Sequence, residues 1–171
     1  RIPCWGFKLI EKKQPRHMLK NMIDKYDIPF QYINPIKSGE DYITENGELI
    51  PNNILTRNSH MKRSYAYCSD TQYFKELPTY IKNVDILYHE STFHSNLSKK
   101  AKSTFHSTSQ DAAKVALEGG VKKLLIGHFS SRYKNLNLLK KDAEIVFKNV
   151  ELAIEGKTWK IKKQYSYENN Y

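Results

Sequence analysis

Hydrophobic and polar positions fall into two regimes along the chain. From Lys62 onward, short apolar runs recur, each ending in a polar cluster and followed by a helical pattern. Ser64-Tyr65-Ala66-Tyr67-Cys68 predicts a strand that ends at Ser69-Asp70-Thr71, with a helix to follow over 73–83. Val84 to Tyr88 predicts a buried strand ending at His89-Glu90, and the Ser-, Thr-, Lys- and His-rich stretch 91–108 predicts a loop. Ser107 or Thr108 suits the N-cap of a helix that runs to Glu118 and stops at Gly119-Gly120. Val121 to Gly127 predicts another strand, running into His128. A helix over 137–149 would place Leu139, Ala143 and Val146 on one stripe. The end of the chain, 151–161, predicts a hairpin around Glu155-Gly156.

Before Lys62 the pattern differs. Residues 2–10 predict an aromatic-rich strand, but 11–60 are polar and hold Pro15, Pro29, Pro35 and Pro51, with turn signals at Ser38-Gly39 and Asn46-Gly47. A short helix at 16–26 is the one regular element expected there. Residues 11–60 are therefore expected to form an insert or projecting arm outside the main core. Strands alternating with helices elsewhere imply an α/β layered domain, and no internal repeat is present.

Composition narrows the function classes. With 171 residues the chain can bury one core. Lys plus Arg is 28 and Asp plus Glu is 18, a net charge of +10, which favours polyanionic partners such as nucleic acid. No apolar run approaches the length of a membrane span, so no membrane role is expected. Two cysteines, Cys4 and Cys68, exclude a disulfide framework and a four-thiolate zinc site; both read as buried small residues in a reducing, cytoplasmic compartment.

The candidate chemistry sits where strands end: Asp70, His89-Glu90 and His128, with His106 in the polar loop. Rigid sheets commonly assemble sites at such ends, and carboxylate with imidazole suits zinc or similar metals. Taken singly, each has a plainer use: Asp70 as a turn or cap residue, Glu90 as a solvated charge, His106 as a surface histidine, His128 as a buried one. His17, His60, His89 and His94 read as structural or solvated.

The order and wording of the clusters separate these alternatives. Ser69-Asp70-Thr71, His89-Glu90-Ser91-Thr92-Phe93, His106-Ser107-Thr108 and Gly127-His128-Phe129-Ser130-Ser131-Arg132-Tyr133, preceded by Arg1-Ile-Pro-Cys-Trp-Gly-Phe7, resemble the C-terminal half of the ribonuclease Z family. These are zinc-dependent tRNA 3′-endonucleases of the metallo-β-lactamase superfamily. The resemblance implies the C-terminal part of an αββα sandwich, residues 1–171 forming one partial domain with 11–60 as its RNA-binding arm. It implies two zinc ions in the complete enzyme, Asp70 bridging them and His128 binding one, and precursor tRNA as substrate. His106 would be the catalytic acid and Glu90 the residue that orients it. Ser107, Thr108 and Arg132 would meet phosphate, while Lys12, Lys13 and Arg16 on the arm would meet the RNA backbone. A homodimer is also implied. The family's His-x-His-x-Asp-His ligand motif is absent from these residues, so the chain reads as a fragment that is catalytically incomplete and holds few or no zinc ions by itself. Another phosphodiesterase or an arylsulfatase-like hydrolase of the same superfamily, and a non-catalytic RNA-binding half, are the alternatives.

Overall fold

The computed structural model describes residues 3–165 and divides into two compact units, one from the described residues of 1–11 and 63–161, the other from those of 12–62 and 162–171. The first unit holds a five-stranded sheet in the order Phe7–Ile10, Ser64–Cys68, Ile86–Glu90, Lys123–Gly127, Val150–Leu152. The first pairing is antiparallel and the other three are parallel. Parallel neighbours need crossovers, and these carry the helices Leu77–Tyr80, Ser109–Glu118 and Asn137–Glu144.

One core joins sheet to helices. Ala66, Cys68, Leu87, Leu124 and Ile126 from the strands meet Ala112, Ala113, Val115, Ala116, Leu139 and Ala143 from the helices. Three alanines on Ser109–Glu118, Ala112, Ala113 and Ala116, leave room for close approach to the sheet. The alternate strand positions Tyr65, Tyr67, Ile86, Tyr88 and Leu125 line a groove of about 760 Å³. Tyr67 and Tyr88 stack there with ring centroids 4.8 Å apart.

Several expected elements shift. The helix expected over 73–83 is confined to Leu77–Tyr80, because Pro78 in its first turn cannot accept a helical turn before it. His89 and Glu90 lie inside the strand Ile86–Glu90 rather than after it, and the N-terminal strand is only Phe7–Ile10. The expected loop 91–108 contains a 3-10 turn, Ser95–Leu97, and a helix, Ser98–Thr104. That helix buries only Ala101, so it leaves no apolar periodicity to find. The last helix ends at Glu144, although Val146 and Phe147 still pack on the core. The hairpin at 151–161 does not form: Val150–Leu152 pairs in parallel with Lys123–Gly127, and the returning chain reaches Glu151 through the Trp159 indole N–H, 2.7 Å from Oε2. Cys68 is buried, which pushes its thiol up to about 11, but Cys4 is exposed.

The second unit has a small core of its own, Ile28, Ile36, Tyr42, Ile50 and Leu55. Helices Lys20–Lys25, Phe30–Ser38 and Asn52–Leu55 pack with two short antiparallel pairs, His17–Met18 with Thr56–Arg57 and Tyr42–Ile43 with Leu49–Ile50. The helix expected at 16–26 therefore starts later, its first residues being taken by a strand. Gly39 (φ 120°) and Gly47 (φ 81°) occupy the two signalled turns, in backbone conformations that favour glycine.

Candidate active site

Register aligns the functional residues at one end of the sheet. Cys68 lies opposite His89, and Glu90 opposite Gly127, so Asp70, Glu90 and His128 emerge at the same level. Asp70 (φ 49°) and His128 (φ 56°) both sit in the left-handed region. A non-glycine residue there is strained by about 1–2 kcal/mol, and such strain gathers at functional sites. The turns bring His128 Nε2 to 3.0 Å from Asp70 Oδ1, both side chains being about half exposed.

His106 arrives by a different route. Helix Ser98–Thr104 ends in left-handed Phe105, and the next residues run beside Phe93, where Ser109 N–H donates to Phe93 O (2.8 Å) and Phe93 N–H to Ser107 O (3.3 Å). This places His106 Nδ1 2.8 Å from Glu90 Oε1. Glu90 is wholly buried. Its other oxygen, Oε2, accepts from Thr92 Oγ1 (2.6 Å) and from Ser107 N–H (3.1 Å). Ligand atoms of Asp70, Glu90, His106 and His128 all lie within 4.8 Å of one another.

Chemistry divides the four. Glu90 has its oxygens taken by three donors, which suits an anchor for His106 better than a metal ligand. Asp70 and His128 offer a carboxylate oxygen and a ring nitrogen facing each other. Oxygen and nitrogen ligands held about 2.0–2.1 Å from a tetrahedral zinc stand roughly 3.3 Å apart; the observed 3.0 Å, an ordinary N–H···O length, needs only a small opening to admit the ion. The residues present therefore fit a zinc ion as part of its ligand set.

The other expected site residues lie as follows. Ser107 is buried, its hydroxyl donating to Thr71 O (2.7 Å). The Thr108 hydroxyl caps helix Ser109–Glu118 in a capping box with Asp111. Both hydroxyls thus have partners within the protein. Arg132 is exposed, its guanidinium 5.0 Å over the Phe93 ring and its Nε 2.9 Å from Ser130 Oγ. Phe93 in turn stands edge-on to His106, with ring centroids 6.3 Å apart. In the second unit Lys12 and Lys13 are exposed, but Arg16 is held by Thr56 and Asn58 and serves that unit's own structure. A polar pocket of about 300 Å³ beside His106 is lined by Gln72, Tyr73, Ser98, Lys102 and Asp111.

His89 points away from the cleft. Burial lowers its pKa, against the opposing pull of the Glu90 carbonyl and nearby acidic charge, and keeps it neutral. His94 caps the 3-10 turn by accepting from Asn96 N–H.

Two residues were not singled out by sequence. Thr92 touches both Glu90 and His128. Asp142 is buried and binds both site loops from behind. The signal for Asp142 was a charge beside Leu139 and Ala143 on the buried stripe of its helix.

No family model matches the chain. Among curated proteins it is 48% identical to ribonuclease Z of Bacteroides fragilis over 156 residues, covering 91% of this chain and 51% of that protein. It is 46% identical to ribonuclease Z of Bacteroides thetaiotaomicron, covering 91% of this chain and 49% of that protein. Among solved structures, the metallo-β-lactamase fold protein YhfI from Bacillus subtilis matches with a TM-score of 0.54 and 27% identity, over 57% of this chain and 40% of that one. The chain is therefore a relative of the ribonuclease Z proteins, spanning about half the length of those it matches, and carries part of the metallo-β-lactamase fold.

Proposed function

We propose that the protein is a zinc-dependent endoribonuclease that removes the 3′ trailer from precursor tRNA by phosphodiester hydrolysis, and that this chain carries part of its catalytic centre. The observation that supports it is the convergence of Asp70, Glu90, His106 and His128 within 4.8 Å at one sheet end, in a chain similar to ribonuclease Z over 91% of its length. Asp70 Oδ1 and His128 Nε2 are the donors that hold metal. Bound there, zinc's contribution is an activated water and stabilisation of the charge on the phosphate. His106 carries a proton on Nε2 to the leaving oxygen, and Glu90 fixes the ring by accepting at Nδ1. Arg132, with its guanidinium exposed beside Phe93, contacts phosphate.

Residues 11–60 act as the arm that grips the tRNA body, with Lys12 and Lys13 on its phosphates. Contacts of this kind give shape-dependent affinity that weakens steeply with salt. The enzyme works as a homodimer in the cytoplasm. Among the described residues no helix is long and apolar enough to cross a membrane.

The test uses the full-length gene product and a 3′-extended precursor tRNA, with and without chelator. Cleavage after the discriminator base that stops on chelation is expected, and His106→Ala should slow it roughly 10²–10⁴-fold. Cleavage that persists without metal overturns the zinc assignment. An intact trailer overturns the substrate, and turnover of small phosphodiesters alone would point to another hydrolase of the same fold.

A further inference from the structure

Thr92 Oγ1 lies 2.6 Å from Glu90 Oε2, 2.9 Å from His128 Nδ1 and 3.1 Å from the His128 carbonyl oxygen. The residue is buried, so no bulk water replaces any of these contacts. A hydroxyl has one proton to donate. Two of its three neighbours, the carboxylate and the carbonyl, can only accept. The shortest contact is to the carboxylate oxygen, and charge-assisted hydrogen bonds are the shorter and stronger kind. Without a proton between them, two oxygens held at that distance in a buried site would repel. The proton therefore belongs to Glu90, and Oγ1 meets the His128 ring with a lone pair. That contact is favourable only if Nδ1 carries a hydrogen.

We propose that Thr92 is a positioning residue: its hydroxyl donates to Glu90 Oε2 and accepts from the Nδ1–H of His128, so one buried carboxylate fixes both histidines of the site. His106 is held directly at Nδ1 and His128 through Thr92, and each ring turns a bare or proton-bearing Nε2 to the cleft. For His128 the consequence is specific. With the hydrogen on Nδ1, the neutral ring keeps its lone pair on Nε2, the nitrogen 3.0 Å from Asp70 Oδ1, so both atoms are available to a cation. Second partners of this kind commonly change metal affinity roughly 10–100-fold when removed. The inference rests on the reading of Asp70 and His128 as metal donors, but the tautomer it requires is a property of the chain's own residues.

The experiment reads that tautomer first. Full-length protein with ¹⁵N-labelled histidine is freed of metal, His128 is assigned by comparison with His128→Ala, and its ring nitrogen shifts are recorded at a pH where the ring is neutral. The expected result is hydrogen on Nδ1. Hydrogen on Nε2 in the wild-type protein overturns the proposal without any variant being needed. Thr92→Val, nearly isosteric, should mix the two tautomers and weaken zinc binding roughly 10–100-fold, while Thr92→Ser should keep both wild-type values. A Thr92→Val protein with unchanged tautomer and unchanged zinc affinity also overturns it. Failure of the underlying reading has a separate sign: Asp70→Asn and His128→Ala would then bind zinc as tightly as the wild type, whatever the tautomer.

Discussion

The Asp142 carboxylate offers the most direct test of how the site loops are held. It lies on helix Asn137–Glu144 and is buried. Oδ1 accepts from Ser95 Oγ (2.7 Å) and Gln110 Nε2 (2.8 Å); Oδ2 accepts from Ser95 N–H (2.9 Å) and Ser109 Oγ (2.5 Å). Ser95 follows the Glu90–Phe93 segment, and Ser109 and Gln110 follow His106, so one side chain ties both site loops together. A hydrogen bond to a charged group contributes about 1.5–3 kcal/mol, but four that share one anion do not add. Asp142→Ala strands the buried Ser109 hydroxyl and the Ser95 N–H, and at about 1–3 kcal/mol for each unsatisfied donor the loss is about 2–5 kcal/mol. Asp142→Asn keeps the shape but turns an NH₂ group toward two donors whichever way the amide sits, for a loss of about 1–3 kcal/mol.

Urea unfolding followed by circular dichroism would measure both variants, with the slope in urea checked against wild type. A loss below about 1 kcal/mol in Asp142→Ala would refute the reasoning, because a solvated surface carboxylate gives that result. A pH series gives an independent check. Burial raises the Asp142 pKa, but the Ser109 hydroxyl and the Ser95 hydroxyl and N–H outweigh it, so the folded value lies below the usual range. A depressed carboxyl stabilises the fold fully above its unfolded pKa of about 3.9 and loses that contribution as pH falls toward the folded value. In a His94→Gln background, which removes the imidazole 3.7 Å from Oδ1, the difference between Asp142 and Asp142→Asn should therefore be constant above about pH 5 and shrink below about pH 4.

Gly127→Ala places a Cβ 2.5 Å from the Tyr88 hydroxyl and 2.6–2.8 Å from its ring, just before His128. Overpacking of this kind costs about 1–3 kcal/mol, and thermal unfolding should show the loss and its recovery when Tyr88 is also made Leu. No loss in the single variant would show that the ring moves freely. Glu151 is held down to about 2 by hydrogen bonds from Lys123, Lys157 and the Trp159 indole. Its ordering effect should persist above about pH 4.3 and fade toward pH 2, so in a Trp5→Phe background Trp159 fluorescence should change across that window and stay flat in Glu151→Gln.

The site was legible through the order and wording of its clusters, which resemble the ribonuclease Z family; taken singly, each residue had a plainer use. Asp70, Glu90, His106 and His128 are short-range features of strand ends and loops, and ladder register converges them without further instruction. The helix start was equally local: of the two cap candidates, Ser107 and Thr108, the structure uses Thr108, and Asp111 completes a capping box. What escaped the sequence depended on partners far along the chain. The terminal hairpin lost to a parallel strand, which no local alternation announces. Helix Ser98–Thr104 buries only Ala101, so its Ser and Lys residues look like loop. The small core at 12–62 draws single residues, Ile28, Ile36, Tyr42, Ile50 and Leu55, from separate elements, and a sparse pattern of that kind resembles an unstructured insert.

Three acidic side chains around the cleft share one functional group and do different things, and the difference is set by who reaches their oxygens. Asp70 is half exposed and faces a ring nitrogen, so an oxygen remains for a cation. Glu90 is fully buried and accepts from Thr92, Ser107 and His106, so its charge is spent on holding two catalytic loops in place. Asp142 is as deeply enclosed, but its donors belong to backbone and side chains behind the cleft, so it fixes loop position and touches no reacting group. Surroundings set the roles: a donor brought onto Asp70 would compete with metal, whereas the donors on Glu90 keep its oxygens on the two histidines and their loops. The substitution that tests this is therefore one of supply rather than of charge. Thr92→Val removes one donor from Glu90 and leaves every carboxylate in the site in place.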